Sequence, residues 1–483
     1  MHSKAAIISS LVWKFLERMG IQGTQFVVSI ILARLLAPDS FGLIAIVMII
    51  INIANVFIQS GLGTALIQKK DADDTDFSSV FYTSLFLAAI VYAAIFFSTP
   101  LIAKFYNNDE LIPIIRVLTL TLFIGVFNSI QYAYIARNMM FKKLFFRSIG
   151  AMIPSSIIGI AMAFAGFGVW ALVAQQLSNA TLSVIIMWFT VPWRPKLAFS
   201  LQRLSGLFSF GWKLLLSSIL DTIHSQLQGI VIGKMFSPAS LAFFDRGNHF
   251  PFLVVNNINN SIQSVMLPSL AAYQDNPPQV KKMMRRAIVT SSFLIVPMMM
   301  CLGVLARSVV LILLGEKWLP CVPFVQVFCF VYAFYPIHTS NLSAINAMGR
   351  SDIFLKLEII KKIYGLALLV ASILYFRTPI GIAYATACST LISSFVNAFP
   401  NKRLLNYSYF EQLVDIFPSV LLSLLMGCAI WALYLLDLNI YISLPLQLII
   451  GGVFYLGLAK ILHLESLEYL IKTIDDLRKR YGK

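Results

Sequence analysis

Ile30-Ile31-Leu32-Ala33-Arg34-Leu35-Leu36-Ala37-Pro38-Asp39-Ser40-Phe41-Gly42 returns two hundred residues later as Ile230-Val231-Ile232-Gly233-Lys234-Met235-Phe236-Ser237-Pro238-Ala239-Ser240-Leu241-Ala242. Three positions are identical, and all but one of the rest keep charge, size or apolarity. In both copies a long apolar run ends on a cation, turns at Pro-x-Ser and starts a second apolar run. Proline fixes φ and a serine hydroxyl bonds nearby backbone, so both suit the turn. Internal duplication in an apolar chain points to a membrane protein whose halves rock about a central cavity. The alternative is chance likeness between two apolar hairpins.

Composition decides the class. Of 483 residues, 59% are hydrophobic and 12% charged, with mean hydropathy +0.81; soluble domains are roughly 45–50% apolar and ~25% charged. Apolar runs of about twenty residues recur along the whole length, each able to cross ~30 Å of hydrocarbon as a helix. Strand-length alternating segments, the mark of a membrane barrel, are missing. The expected fold is all-α and polytopic. The first apolar stretch is interrupted by Lys14, Glu17 and Arg18 and has no small-residue cleavage site, so it is expected to stay as a helix rather than be removed as a signal peptide. The five cysteines lie in or beside apolar spans without metal-ligand spacing and read as small buried hydrophobes.

Turn and breaker residues divide the chain into about fourteen spans, near 9–36, 41–66, 78–106, 111–136, 144–166, 168–190, 207–236, 241–273, 284–314, 320–347, 353–376, 379–400, 412–436 and 440–462. With the N-terminus in the cytoplasm, the Lys/Arg-rich breaks fall inside by about three to one, so both termini are expected to be cytoplasmic. The formal net charge of +16 follows from this bias and requires no nucleic-acid partner. A second echo, Gly168-Val169-Trp170-Ala171 against Gly381-Ile382-Ala383-Tyr384-Ala385, opens the sixth and twelfth spans. The expected organisation is therefore a six-helix lobe over 1–190, a basic linker over 191–206, a second six-helix lobe over 207–403, two additional transmembrane helices over 404–462 and a tail over 463–483. Six spans is an even number, so the lobes are parallel repeats.

No nucleotide-binding loop, HExxH helix, CxxC pair or Ser-His-Asp set is present, so no enzymatic activity, metal or cofactor is expected. What remains is polar residues inside apolar spans, which are costly in hydrocarbon and mark cavities or partners. The first span carries Lys14, Glu17, Arg18, Gln22 and Gln25, with Lys14 three before Glu17 and within pairing reach. The second carries Asn52, Asn55 and Gln59. The seventh carries Lys213, Asp221, His224, Gln226 and Gln228; Asp221 and His224, three apart, are the candidates for coupling to a proton or sodium gradient, a structural pair being the alternative. The eighth carries Asp245, Arg246, Asn248, His249, Gln263 and four asparagines in five residues, Asn256, Asn257, Asn259 and Asn260. In the eleventh, Glu358 and Lys362 are spaced to pair. Amides both donate and accept, as sugar hydroxyls require, and arginine suits phosphate. The substrate-binding candidates are Arg18, Gln22, Asn55, Gln59, Arg246, Asn256 and Asn260. Headgroup snorkelling and interhelical polar packing are the bland alternatives.

Ala33 to Gly42 followed by Gly61-Leu62-Gly63-Thr64-Ala65-Leu66-Ile67-Gln68 resembles the opening of the polysaccharide transporter family of bacterial flippases. Gly168 to Val173, and Gly315-Glu316-Lys317-Trp318 with Pro320 and Pro323, are similar to its Wzx-like members. The likeness runs in order over about residues 9–400, with Phe243-Phe244-Asp245-Arg246 a departure where relatives tend to have Tyr-Ser-Arg. The resemblance implies the multidrug/oligosaccharidyl-lipid/polysaccharide (MOP) flippase fold, with two six-helix bundles and two extra helices. It also implies movement of an undecaprenyl-diphosphate-linked glycan across the bacterial inner membrane for O-antigen, capsule or exopolysaccharide synthesis. Membrane lipids and the polysaccharide polymerase and chain-length machinery are the further partners expected. The competing classes are a multidrug or organic-cation antiporter of the same superfamily, a non-transporting scaffold for envelope synthesis, and a membrane glycosyltransferase. An antiporter would want an acid-dominated cavity, and a glycosyltransferase would want catalytic acids or large soluble loops.

Overall fold

The computed structural model describes residues 4–59, 62–63, 66, 69, 71–138, 140–436 and 438–481. Most of the Gly61 to Gln68 motif, the Lys213 side chain and the Asp437 turn lie outside the described residues. The first unit, Met1–Ala242, contains α1 (Lys4–Leu35), α2 (Pro38–Gln59), α3 (Asp74–Tyr106), α4 (Leu111–Leu118), α5 (Thr121–Arg137), α6 (Phe141–Phe164), α7 (Val169–Thr190) and α8 (Leu201–Met235). Helix α9 (Pro238–Ala271) opens at its end and runs into the second unit, Phe243–Lys483. There follow α10 (Pro277–Val304), α11 (Ala306–Leu313), a 3-10 segment (Glu316–Cys321), α12 (Val322–Ala333), α13 (Tyr335–Ala347), α14 (Ser351–Tyr375), α15 (Pro379–Leu405), α16 (Tyr409–Ala432), α17 (Ile440–Ile461) and α18 (Glu465–Tyr481). No strand occurs among the described residues.

The duplicated stretch is reproduced residue for residue. α1 stops at Leu35 and α2 starts at Pro38; α8 stops at Met235 and α9 starts at Pro238. The other breaks follow local chemistry as well. Asp73 and Asp76 form a capping box at the start of α3, and Asn107 closes that helix in the left-handed region with φ 53°. Ser408 and Glu411 form a second capping box at α16.

Ten helical stretches among the described residues are long and apolar enough to cross a membrane. α1, α8, α9 and α14, with 32, 35, 34 and 25 residues, are long enough but carry too many polar or charged residues to match them in apolarity. These four are the first, seventh, eighth and eleventh of the expected spans. The fold is polytopic and all-α; the count of fourteen depends on these four also crossing.

In the first unit, α8 packs on α2 through two glycines. A Cβ on Gly229 would lie 2.9 Å from Ile49 Cδ1, and one on Gly233 3.2 Å from Ile46 Cγ1 and 3.1 Å from Tyr106. Lys234 donates to the Phe105 carbonyl and lies over the Phe105 ring. The two copies of the repeat meet here: a Cβ on Gly42 would stand 1.8 Å from the Pro238 carbonyl oxygen. In the second unit, Phe293, Leu422, Met426 and Tyr455 form one core and Met284, Ile288, Ile337 and Leu405 another. The Tyr455 hydroxyl donates to the Phe293 carbonyl at 2.9 Å, fixing α17 to α10.

Each unit also clamps a segment that follows its sixth span back onto the start of its third. In the first, Arg203 pairs with Asp73 at 2.5 Å and Lys196 with Asp74 at 2.6 Å; Ser78 and Ser79 accept from the Lys196 and Ser200 backbone. In the second, Lys281 pairs with Glu411 at 3.4 Å and Arg285 with Asp415 at 2.9 Å. The sign of charge is reversed between the two clamps. The Arg203 guanidinium bonded to Asp73, helped by backbone N–H donors, holds that carboxyl down at about 2.

Candidate functional site

All the candidates except Asn55 and Gln59 lie on the helices that fall short of full apolarity. On α1, Glu17 turns toward α6: it accepts from Ser148 Oγ at 2.9 Å and pairs with Arg147 at 3.7 Å. Its partner is therefore not Lys14, whose ammonium lies 5.6 Å from the centre of the Phe141 ring. Trp13 against Phe145 and Phe146, and Gly20 against Ile149, complete this packed face. Arg18 is one position and about 100° on from Glu17. It is exposed, with half-buried Gln22 and exposed Gln25 following on its own side. The charges of the first span are thus divided: Glu17 builds the bundle, and Arg18 with the glutamines presents a second face.

On α2, Asn52 and Gln59 are exposed and Asn55 is half-buried, its Oδ1 3.9 Å from where a Cβ on Gly125 of α5 would sit. On α8, Asp221 is exposed and His224 half-buried, at a spacing that puts both on one face. They precede the stretch that the two glycines anchor to α2.

α9 sorts its amides the same way. Gly247 lets the helix approach α12 closely, since a Cβ there would lie 2.3 Å from Phe324 Cβ. Beside it Asn248 accepts from the Tyr332 hydroxyl at 2.8 Å, Asn259 accepts from Thr339 at 2.8 Å, and Gln263 accepts from Ser343. These three are interhelical packing. Asn256 and Asn260 lie off that line and bond each other, Asn260 Nδ2 donating to Asn256 Oδ1 at 3.0 Å. Asn260 is exposed, as are Asp245 and His249 further along the same side. Of the four asparagines in five residues, one is committed to α13 and two form an accessible amide pair. Arg246 is half-buried, its guanidinium 5.8 Å from the ring of Trp318. Trp318 is wholly buried and also meets Phe243 edge-on. The Gly315 to Trp318 motif thus forms the seat of Arg246.

Two polar clusters in the second unit escape a reading by sequence spacing. Asn341 of α13 and Gln412 of α16 exchange amide hydrogen bonds at 2.7 and 3.1 Å, and Asn401 of α15 donates to Asn341 Oδ1 at 2.7 Å. All three are fully buried and join three helices. On α14, Glu358 pairs with Lys361 at 2.5 Å, at i,i+3. The only sequence signal for the first cluster was an amide in each of three separate spans.

Residues 31–323 match the family described as polysaccharide biosynthesis protein. Lipopolysaccharide biosynthesis protein WzxC of Escherichia coli (strain K12) is 23% identical over 434 residues, 88% of this chain and 87% of that one. Teichuronic acid biosynthesis protein TuaB of Bacillus subtilis (strain 168) is 25% identical, over 78% of this chain and 77% of that one. Succinoglycan biosynthesis transport protein ExoT of Rhizobium meliloti (strain 1021) is 25% identical over 63% of this chain, and the match spans 62% of its own length. Among solved structures, the lipid II flippase MurJ in an inward closed conformation superposes with a TM-score of 0.75, covering 94% of this chain and 99% of that one at 16% identity. An inward-facing multidrug resistance MATE transporter of the MOP superfamily gives 0.59 at 14% identity, over 85% and 98%. At such identities the structures establish the fold, and the family match carries the kinship. The chain belongs to the family described as polysaccharide biosynthesis protein, and its fold is the one seen in the lipid II flippase MurJ and the MATE transporter.

Proposed function

We propose that this protein carries an undecaprenyl-diphosphate-linked oligosaccharide from the cytoplasmic to the periplasmic leaflet of the bacterial inner membrane, by alternating access between two lobes. The cargo would serve O-antigen, capsule or exopolysaccharide synthesis, with both protein termini in the cytoplasm. The observation that carries the reading is the division of α1 and α9 into a packed face and an accessible polar face. An accessible arginine and paired amides inside apolar helices suit a ligand with phosphate at one end and hydroxyls at the other. Arg18 and Arg246 are the proposed diphosphate contacts, and Gln22, Asn55, Gln59, Asn256 and Asn260 the proposed sugar contacts. Asp221 with His224 tunes the conformational cycle through a proton or sodium gradient. An organic-cation antiporter is disfavoured by the acids available: Glu17 and Glu358 are both committed to cations.

The test is leaflet transfer of a lipid-linked oligosaccharide in proteoliposomes. Arg18→Lys and Arg246→Lys should impair flipping at unchanged protein abundance, because lysine cannot reproduce a bidentate grip on phosphate. Normal transport by Arg18→Ala and Arg246→Ala proteins would reduce both to packing roles. Transfer by Asp221→Asn that is normal across imposed pH and sodium gradients would remove its coupling role. Failure of the wild-type protein to move any lipid-linked sugar, with efflux of an organic cation instead, would replace the reading altogether.

A further inference from the structure

Helix α10 carries all of its charge at one end. It has 28 residues, ~42 Å at 1.5 Å each, so ~12 Å of it projects beyond a ~30 Å hydrocarbon layer. Lys281, Lys282, Arg285 and Arg286 are its only charged residues, and all lie within its first ten. Arg286, the last of them, therefore marks the headgroup level, on the side expected to be cytoplasmic. The Arg285–Glu465 pair at 3.3 Å brings the start of α18 to the same level. Leu467 and Leu470 seat α18 on the core that holds Phe293 and Tyr455.

Between α10 and α18 is a cavity of about 230 Å³, several times the ~30 Å³ share of one water molecule. Arg285, Arg286 and Lys472 line it, with Thr290 and Ser466. Arg285 is already engaged, its Nε on Asp415 and its Nη1 on Glu465. Arg286 is not. Its guanidinium lies over the Tyr469 ring, 4.6 Å from the centre, and no described carboxylate pairs with it. A guanidinium held by its face keeps its in-plane N–H donors for an anion. Lys472 likewise has no acid partner among the described residues. Ser466 is only 5% exposed, yet its hydroxyl bonds no described residue; a buried donor in that position calls for a partner. Glu468, the second acid of the lining, is 55% exposed, so water screens its repulsion of an anion.

We propose that this cavity binds the phosphate of an anionic phospholipid headgroup. Arg286 and Lys472 supply the charge, and Thr290 and Ser466 the hydroxyl donors. The first turn of α18 forms one wall, so the positive end of its dipole adds to the attraction. The level of the site favours a lipid over a soluble phosphate: it lies where the charged end of α10 gives way to its apolar run. Ile461, Leu462 and Ile471, all exposed, offer acyl chains an apolar surface on the end of α17 and on α18. A lipid held here bridges α10 and α18 and fastens the last helix to the membrane surface. The site is independent of what the protein carries.

The experiment is binding of a fluorescent phosphatidylglycerol to the full-length protein in a neutral detergent. Unlabelled phosphatidylglycerol, phosphatidylcholine and inorganic phosphate serve as competitors. Phosphatidylglycerol should displace the probe, and the other two should do so at least about tenfold less well. Arg286→Gln/Lys472→Gln should weaken binding about tenfold or more, the loss of charge-assisted contacts. Lys282→Gln/Arg403→Gln removes the same charge from the same side of the protein, outside the cavity, and should bind as wild type does. Unchanged affinity in the first double variant would overturn the site. An equal loss in the second would reduce the effect to diffuse surface charge and overturn it as well. If the first double variant does not fold, Lys472→Gln alone decides, since Lys472 is exposed: anything short of a several-fold loss overturns the site. Phosphatidylcholine competing as well as phosphatidylglycerol would mean an apolar contact with lipid in general, with no headgroup site. Inorganic phosphate competing as well would make this a site for soluble anions and overturn its assignment to lipid.

Discussion

Gly42→Ala places one methyl group against backbone that cannot step aside. The new Cβ would lie 1.8 Å from the Pro238 carbonyl oxygen, 2.2 Å from its carbon and 2.7 Å from its Cα. Ordinary contact begins near 3.4 Å, so the two turns must separate by about 1.6 Å, the difference of the two distances. Alanine favours the helix over glycine by up to ~1 kcal/mol, while overpacking of this kind costs ~1–3 kcal/mol. The obstacle is carbonyl and proline ring rather than a flexible side-chain tip, so the cost belongs in the upper half of that range and the net loss is about 1–2 kcal/mol. For a unit the size of Met1–Ala242, 1 kcal/mol moves Tm by roughly 2–4 °C. Thermal melts of the purified protein should therefore show Gly42→Ala a few degrees below wild type. Gly23→Ala is the control: it lies within α1 with nothing within 4 Å of an added Cβ, so helix propensity alone should keep Tm level or raise it slightly. A Gly42→Ala protein as stable as Gly23→Ala would mean that the two copies of the repeat do not touch as described.

Three further outcomes follow from other contacts. Asn341→Leu strands the buried amides of Gln412 and Asn401 and should destabilise by ~2–4 kcal/mol, and Asn341→Leu/Gln412→Leu should cost less than the sum of the single changes; additive melts would dissolve the network. Asp73, held down at about 2 by Arg203, stabilises the fold above its unfolded pKa of ~3.9, and that contribution disappears as pH falls through 2. Asp73→Asn should therefore be less stable than wild type at pH 7 by a small, salt-sensitive margin that vanishes near pH 2; a pH-independent gap would exclude ionisation as its cause. Finally, cysteines at Asn108 and Arg403 should label with an impermeant thiol reagent from the periplasmic and the cytoplasmic side respectively, and the opposite pattern would invert the orientation drawn from the basic loops.

Sequence revealed the fold more fully than the site, for physical reasons. Pro38 and Pro238 punctuate whatever surrounds them, because the proline constraint is local; the helix ends at Leu35 and Met235 needed no tertiary information. Partner choice is not local. Glu17 stands within reach of Lys14 by spacing, yet bonds Ser148 and Arg147 because α6 packs on that side of α1. The asparagines of α9 were legible as a group, but their division between Thr339 and each other required the position of α13. The Asn341–Gln412–Asn401 cluster was illegible because its members sit on three helices, and no one-dimensional pattern joins them.

The opposite polarity of the two clamps has a consequence for a chain made of two similar halves. Duplication creates the hazard that one half completes its fold with the other half's parts. Here the acidic start of α3 accepts the basic Lys196 to Arg203 segment, while the basic start of α10 accepts the acidic Glu411 to Asp415 segment. Exchanging the segments would set Asp73 against Glu411 and Lys281 against Arg203, like charge on like. Three of the four pairings also span 130 residues, as 203 from 73, 411 from 281 and 415 from 285. During synthesis the first clamp can therefore close before its rival segment is made, and the second finds its own partner by exclusion. The charges act as a key that tells two copies of one architecture apart while the chain is still emerging.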